Sequence, residues 1–286
     1  HADLLKELGA TEFVGYERLS ADAEVCAIVR NGERVDSLSA GEQGEVVLNV
    51  TPFYAEMGGE VGDTGTITAD GVELQVTDTK APEKGLVCHV ATVASGVLTV
   101  GMAVSAQVDV KRRACIARNH TCTHILHAAL RQVLGAHVKQ AGSYVGPDRL
   151  RFDFTHFESV TPEQLKQVEE LANSVIMSAT ATNIFETSLA KAREEGVTAL
   201  FGEKYGDVVR VVKVGDFSSE LCGGCHVTNT AEIGLVKIVS ESSVGANLRR
   251  IEAFTSYDAL TYLNGFEHQM KELSATLRVS TSDVQA

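Results

Sequence analysis

Two short motifs in this 286-residue sequence contain residue types that bind metal ions. His120 and His124 stand four residues apart, and Cys222-Gly-Gly-Cys-His226 follows about a hundred residues later. Residues four apart lie one turn apart on one face of a helix, so both imidazoles can reach a single ion. Cys222 and His226, joined by a flexible Gly-Gly, can complete a tetrahedral set of ligands. One thiolate and three imidazoles favour zinc over magnesium or calcium.

The spacing leaves alternatives open for both motifs. An isolated His-x-x-x-His pair is more often incidental than a ligand pair, and only the presence of both motifs favours a metal site. Cys222 and Cys225 form a Cys-x-x-Cys pair, which is a common zinc spacing and also a redox spacing. If Cys222 and Cys225 were both ligands, His226 would not bind the metal directly. His127 is on the same predicted helix face as His124, where a hydrogen-bonded role beside the site is favoured over ligation.

The elements that position these motifs follow from the hydrophobic pattern. Six short runs rich in Val, Ile, Leu and Thr, separated by turns such as Asn31-Gly32, predict a small closed β-barrel in the first 110 residues. These runs are Val25–Arg30, Glu45–Val50, Thr66–Thr68, Glu73–Asp78, Leu86–Val93 and Val104–Val110. The glycines of Thr51–Gly65 either let the backbone approach a ligand or belong to a long barrel loop.

Helix and strand signals are interspersed in the second part of the chain. A helix is predicted from Lys111 to about His137, which places the two motif histidines on it. Thr161, Pro162 and Gln164 form a capping-box start for a helix to about Ala179. Strands are expected at Leu150–Phe154, Asn183–Thr187, Val208–Val214, Ile233–Ser240 and Leu248–Thr255, with a helix at Ser188–Glu195. This half has no regular βαβ spacing.

The last thirty residues have heptad-like apolar positions that predict a C-terminal helix. That helix is short and has no partner, and the chain starts at His1 rather than Met, so we expect a fragment of a longer natural chain. The predicted fold class is α+β: a β-barrel domain at 1–110, a mixed α/β domain with the metal-site helix at 111–256, and the start of a helical segment at 257–286.

The composition restricts the partners of the chain. Lys plus Arg number 25 against 38 for Asp plus Glu, and the net charge of −13 argues against binding a polyanion through bulk charge. Nucleic acid would therefore have to bind to local basic patches. The alternative is that the basic residues are simply paired with carboxylates. The candidates are Lys111, Arg112, Arg113, Arg118, Arg151, Arg249 and Arg250. Without an apolar run of membrane length or a signal peptide, we expect a cytoplasmic protein with no membrane contact.

Longer segments extend these motifs in a recognisable order. They are Thr51–Gly59 with Gly62-Asp-Thr-Gly65, then Asn119–Arg131, Leu134–Ser143, Leu150–Phe154, Leu200–Tyr205, Glu220–His226 and Arg249–Ala253. Together they resemble the editing domain of the alanyl-tRNA synthetase family and the β-barrel that precedes it, over nearly the whole chain. The resemblance implies that His120, His124, Cys222 and His226 bind zinc. Cys225 stands where the family usually has Thr, which raises the question of whether it competes for the metal.

The resemblance implies hydrolysis in cis of the ester that joins serine or glycine to the 3′ end of tRNA(Ala). Serine exceeds alanine by one hydroxyl, which an apolar activation site rejects poorly, so a second site must remove it. Thr123 and Gln140 match family positions near the substrate and can hydrogen-bond a seryl hydroxyl or a water; ordinary capping or surface roles are the alternative. Zinc can act as Lewis acid, water activator or template, and four protein ligands favour the template.

The implied partners are the acceptor end of tRNA(Ala) and the missing parts of the same protein. The ATP-binding aminoacylation domain lies N-terminal to this region in the family, so alanine activation is not expected here. A free-standing trans-editing protein and a zinc-stabilised tRNA-binding module without hydrolysis are the alternatives. A zinc peptidase is disfavoured, because Thr121 stands where HExxH enzymes carry their general-base Glu.

Overall fold

The computed structural model describes residues 1–200 and 202–284. The chain forms two compact units. The barrel unit comprises His1–Ala117, Tyr144–Pro147 and Gly223–Cys225. The mixed unit comprises Arg118–Ser143, Asp148–Cys222 and His226–Ala286.

The barrel unit starts with a short helix, α1 (Ala2–Leu8), and continues with eleven strands among its described residues. They are β1 (Glu12–Phe13), β2 (Ser20–Arg30), β3 (Glu33–Val35), β4 (Ser37–Ser39), β5 (Gln43–Leu48), β6 (Val50–Thr51), β7 (Gly65–Ala69), β8 (Val72–Glu83), β9 (Leu86–Ser95), β10 (Val97–Thr99) and β11 (Ala103–Val108). The order β11-β7-β8-β9-β5-β2 closes on itself because β11 also pairs with β2, and β3 extends the sheet beyond β2. The predicted closed barrel is confirmed.

Alternating side chains build the barrel core. In β8, Val72, Leu74 and Val76 are buried while the residues between them are exposed, and β11 alternates in the same way. Phe53 fills the same core. Each of the six predicted runs overlaps one of the six barrel strands, although Glu45–Val50 and Val104–Val110 extend past the ends of β5 and β11. The short elements β1, β3, β4, β6 and β10 were not predicted, because two or three residues carry no measurable period.

The glycine-containing loop between β6 and β7 packs on the barrel's own backbone. A Cβ atom on Gly62 would lie 2.2 Å from the carbonyl oxygen of Thr79, and one on Gly65 would lie 2.0 Å from that of Gln107. The loop also buries Asp63, whose carboxylate accepts hydrogen bonds from the Arg113 guanidinium and from the backbone N–H of Tyr54. At Gly62 and Gly65 these close approaches fit the long barrel loop, whereas a Cβ atom on Gly58 would meet nothing within 4 Å.

A long helix, α2 (Val110–Leu134), starts in the barrel unit and continues into the mixed unit. The Asp109 carboxylate accepts the Arg112 backbone N–H at 3.1 Å, so the helix starts at Val110, where the predicted strand still ran. Gly135, with φ of 127°, follows the last helical residue, so the helix ends at Leu134 rather than near the predicted His137.

The mixed unit combines α2 with two antiparallel sheets and three further α-helices among its described residues. The elements are β12 (Gln140–Val145), β13 (Leu150–Thr155), α3 (Pro162–Met177), β14 (Thr182–Ser188), α4 (Leu189–Glu194), β15 (Val208–Val214), β16 (Ser218–Leu221), β17 (Val236–Gly245), β18 (Leu248–Thr255) and α5 (Ser256–Leu277). One sheet has the order β12-β13-β18-β17 and the other β14-β15-β16. The α+β class is confirmed.

Most elements of the mixed unit agree with those predicted from the sequence, and a few do not. The capping box of Thr161 and Gln164 is present at the start of α3. The strand predicted at Ile233–Ser240 starts later, because Thr230–Ile233 form a 3₁₀ turn and β17 begins at Val236. Strands β12 and β16 were not predicted. They are short and largely polar, which weakens the alternation that marks a strand.

The C-terminal helix α5 exposes its heptad-like apolar residues. Phe266 and Leu277 are about half exposed, at 51% and 52%. Across residues 1–200 and 202–284, no helix is long and apolar enough to cross a membrane.

Candidate metal centre

The first motif lies on α2, where the helix sets its two histidines one turn apart. His120 and His124 are buried, and their ring centroids are 5.2 Å apart. Side chains at positions i and i+4 of a helix point to the same side, which explains this arrangement from the sequence alone. The helix therefore presents two imidazoles to one point inside the mixed unit.

The second motif starts where β16 ends. The backbone N–H of Cys222 donates to the carbonyl of Arg210 at 3.1 Å, and the Arg210 guanidinium donates to the carbonyl of Cys222 at 3.0 Å. These bonds fix the backbone at Cys222. Its Sγ lies 3.4 Å from Nε2 of His120 and 3.4 Å from Nε2 of His226.

Four potential ligand atoms therefore converge. One atom each from His120, His124, Cys222 and His226 lies within 4.8 Å of all the others. A tetrahedral zinc ion with its usual bond lengths to sulfur and nitrogen separates its ligand atoms by roughly 3.5 Å. The two 3.4 Å distances from the Cys222 sulfur agree with that value. The donor set and its spacing fit a single zinc ion.

Cys225 has different surroundings from Cys222. It belongs to the barrel unit, where its backbone N–H donates to Oε1 of Glu60 at 2.8 Å. Burial, together with the Glu60 carboxylate, raises the pKa of the Cys225 thiol well above its ordinary value. Among the described residues Cys225 is not part of the converging group, so the geometry does not favour the Cys-x-x-Cys alternative.

The three imidazoles change the ionisation of Cys222. Burial opposes the thiolate, but the neighbouring His120, His226 and His124 outweigh it and lower the pKa of Cys222 well below its ordinary value. A thiolate is the form that binds a metal ion. Burial and the charge of His120 lower the pKa of His226 to about 3, which keeps its imidazole neutral and able to act as a ligand.

Two further side chains hold the histidine rings. Oγ1 of Thr121 lies 3.0 Å from Nδ1 of His226 and accepts the backbone N–H of Val227 at 3.1 Å. With Nδ1 engaged, Nε2 of His226 faces the Cys222 sulfur. The sequence pattern did not assign this role to Thr121, because the role depends on a contact with His226, which lies 105 positions away in the sequence.

Glu220 is the second supporting residue. Its Oε1 accepts a hydrogen bond from Nδ1 of His127 at 2.5 Å, and its Oε2 lies 3.4 Å from Nε2 of His124. Burial disfavours the carboxylate, but His124 and His127 lower the pKa of Glu220 below its ordinary value. Its position two residues before Cys222 on β16 is the one sequence signal that could have identified it. The role predicted for His127, a hydrogen bond beside the site, agrees with this contact.

Thr123 and Gln140, the two residues predicted near the substrate, both belong to the mixed unit. Thr123, next to His124 on α2, is buried, and its hydroxyl donates to the carbonyl of Asn119 at 2.8 Å. The oxygen of that hydroxyl keeps its capacity to accept a hydrogen bond. Gln140 is half-buried at the start of β12, and its amide lies 3.4 Å from the Ser143 hydroxyl.

The predicted basic patch is partly neutralised. Arg113 forms a buried ion pair with Asp63 in the barrel unit. In the mixed unit Arg249 pairs with Glu241 at 2.5 Å, and Arg250 pairs with Asp153 at 2.7 Å. For these three arginines, the structure therefore shows pairing with carboxylates, which was the alternative to a basic patch that binds nucleic acid.

Comparisons of the amino-acid sequence with known proteins agree with this two-unit architecture. Residues 1–112 match the family model "tRNA synthetases class II (A)", and residues 209–252 match "Threonyl and Alanyl tRNA synthetase second additional domain". Both models describe parts of tRNA synthetases, which is the class of protein that the chain resembles.

Two curated relatives give a more specific class of protein. The chain is 53% identical over 275 residues to the alanine–tRNA ligase of Pelotomaculum thermopropionicum, covering 96% of this chain and 31% of that protein. It is 51% identical over 282 residues to the ligase of Desulforudis audaxviator, covering 99% of this chain and 32% of that protein. Over nearly its whole length the chain is homologous to one part of the alanyl-tRNA synthetases, and it spans about a third of the length of these curated relatives.

Proposed function

We propose that this chain carries the editing activity of a synthetase: hydrolysis of the ester that joins serine or glycine to the 3′ end of tRNA(Ala). The convergence of His120, His124, Cys222 and His226 at one point carries this proposal. The match to the second additional domain covers Cys222 and His226 and supports it. The relatives are ligases, which favours editing in cis over the free-standing trans-editing alternative.

Zinc is the proposed cofactor, held by the same four residues. Their donor set, the 3.4 Å contacts of the Cys222 sulfur and its lowered pKa all suit this ion. A zinc ion in that position supplies a positive charge that can orient the substrate or polarise its carbonyl. Because four protein ligands close the coordination shell, orientation is the preferred role.

Residues of the chain would position the metal ligands and hydrogen-bond the substrate and the attacking water. Thr121 and Glu220 keep the imidazoles of His226 and His124 in place. Thr123 and Gln140 are the proposed catalytic residues, each able to hydrogen-bond a seryl hydroxyl or the attacking water. Since the Thr123 hydroxyl donates to Asn119, it is available to the substrate or to water as an acceptor.

The proposed partners are the acceptor end of tRNA(Ala) and the other regions of the longer protein, and the proposed compartment is the cytoplasm. With a net charge of −13, binding must depend on local contacts rather than on bulk attraction.

The direct test measures hydrolysis of seryl-tRNA(Ala) and alanyl-tRNA(Ala) by this chain, with zinc assayed on the same sample. Selective release of serine with about one zinc per chain is the expected result. Bound zinc without hydrolysis would instead support a zinc-stabilised tRNA-binding module, which the four-ligand shell also suits.

Thr123→Val tests the catalytic residue. Valine keeps the shape of threonine and removes the acceptor oxygen, so we expect deacylation of seryl-tRNA(Ala) to slow at least about tenfold while zinc stays bound. Steady-state kinetics and zinc analysis measure the two effects. Unchanged deacylation of seryl-tRNA(Ala) would remove Thr123 from the mechanism.

A further inference from the structure

A pair of histidines joins the turn after α2 to the end of β13 in the mixed unit. Nε2 of His137 lies 2.8 Å from Nδ1 of His156. The two ring centroids are 5.1 Å apart, and the ring planes meet at 19°. The centroid distance exceeds the distance between the nitrogens by two ring radii, so the rings lie edge to edge in nearly one plane. The two nitrogens therefore point straight at each other, which is the geometry of an N–H···N hydrogen bond.

Exposed side chains cover the inner histidine of this pair. His156 is 4% exposed, whereas His137 is exposed and the neighbouring Phe157 is 67% exposed. The ring centroid of Phe157 lies 4.7 Å from that of His156 and 5.4 Å from that of His137. A local movement of the turn and of Phe157 therefore exposes His156 to water.

The same end of β13 holds the backbone of the turn that precedes Gln140. The Thr155 hydroxyl donates to the carbonyl of His137 at 2.7 Å and accepts the backbone N–H of Lys139 at 2.9 Å. The backbone N–H of Thr155 donates to the carbonyl of Lys139 at 3.0 Å. Gln140, a proposed catalytic residue, follows directly and is the first residue of β12. The contacts of Thr155 and His156 with the turn thus fix where β12 begins.

The histidine pair has no suitable place for an additional proton. A neutral pair carries one proton between the rings and one on an outer nitrogen, and Nδ1 of the exposed His137 can hold the second. A further proton must go to Nε2 of His156, which is buried and has no partner among the described residues. Burial and then His137 lower the pKa of His156; Arg249 of β18 adds to this effect, while Glu158 and Glu241 of β17 oppose it.

We propose that the bond between His137 and His156 is a latch, which holds the turn before Gln140 and opens when His156 binds a proton. At neutral pH the latch is closed and keeps Gln140 in place. Below the ordinary histidine value of 6.5 the open form gains stability, because His156 binds a proton more readily in water than in the closed pair. The inference rests on the proposed editing function only for its effect on activity: acid then slows hydrolysis by displacing Gln140.

Amide hydrogen exchange, followed by NMR, tests the latch itself. The Lys139 N–H is bonded to Thr155, so its protection factor should fall between about pH 7 and about pH 5, by up to about tenfold per pH unit. In His156→Asn an amide takes the place of Nδ1 but does not titrate, so protection should not depend on pH. His268→Asn, at an exposed position of α5, is the matched control and should behave as the unmodified chain. Constant protection in the unmodified chain, or a pH dependence that survives His156→Asn, overturns the latch.

Variants of the exposed His137 link the latch to the proposed activity without changing a buried position. His137→Ala removes the bond, so protection of Lys139 should be low at every pH, and kcat for seryl-tRNA(Ala) should fall about tenfold with little change in KM. His137→Gln has an amide that can bond to Nδ1 of His156, and it should restore both properties. Equal kcat in these two variants overturns the positioning of Gln140 by the latch. If the chain hydrolyses no aminoacyl-tRNA, the editing function fails, while the protection of Lys139 still decides whether the latch exists.

Discussion

His89 in the barrel unit and His124 in the mixed unit are both buried histidines, and their pKa values move in opposite directions. Nε2 of His89 contacts the Thr51 hydroxyl at 2.7 Å, and its Nδ1 contacts the carbonyl of Val46 at 2.7 Å. Burial lowers the pKa of His89 to about 4. For His124 burial has the same effect, but Glu220 and Cys222 outweigh it and raise the pKa. Nδ1 of His124 has no partner in the described protein.

The buried Cys88 and the half-buried Cys222 show the same contrast. Burial and the nearby Glu45 raise the pKa of Cys88 to about 12, although Cys88 lies with His1 and Glu45 in a group that could in principle hold a metal. Three imidazoles lower the pKa of Cys222 instead. The difference teaches that burial alone does not make a functional site. What distinguishes the candidate metal centre is that a thiol and three imidazoles face one another, whereas His89 contacts a hydroxyl and a carbonyl and Cys88 lies near a carboxylate.

The largest effect is expected from the buried ion pair of the barrel unit. Arg113→Ala leaves the Asp63 carboxylate buried and uncompensated, which should lower the free energy of unfolding by about 3–5 kcal/mol. Urea titration measures this loss. Arg30→Ala, which breaks an exposed pair with Glu42, is the control and should cost about 1 kcal/mol or less. Equal losses in the two variants would contradict a structural role for the buried pair.

The next effect separates the two cysteines of the second motif. Cys222→Ala removes a proposed ligand and should weaken zinc binding by about a hundredfold or more, since loss of a mere supporting residue already costs 10–100-fold. Cys225→Ala should retain about one zinc per chain. Competition with a chromophoric chelator measures both affinities. Loss of zinc in Cys225→Ala alone would transfer the ligand role to Cys225.

The smallest effect tests His89 through pH. The unfolded chain protonates this histidine near pH 6.5, but the folded barrel does so only near pH 4. The unfolded state therefore binds more protons between these values, and His89 destabilises the fold as the pH falls through that window. Between pH 7 and pH 5 this amounts to about 2 kcal/mol. In His89→Gln that part of the pH dependence should vanish in urea titrations; an unchanged pH profile would show that His89 is not buried as a neutral ring.

Local patterns in the sequence determined much of this protein. The six β-rich runs correspond to the six barrel strands, the capping box starts α3, and the four-residue spacing of His120 and His124 sets them on one face of α2. Each of these features depends on residues a few positions apart, where period and capping chemistry decide the structure. The resemblance to a family then named the four proposed ligands.

Only the tertiary structure decided which partners those residues meet. Cys222 and Cys225 have equivalent spacing in the motif, yet one sulfur lies beside an imidazole 102 positions away and the other cysteine donates its N–H to Glu60. Glu220 reaches His127 across 93 positions, from a strand too short and polar to be predicted. Long-range contacts of this kind depend on the packing of whole elements, and the periodicity of a single segment carries no information about them.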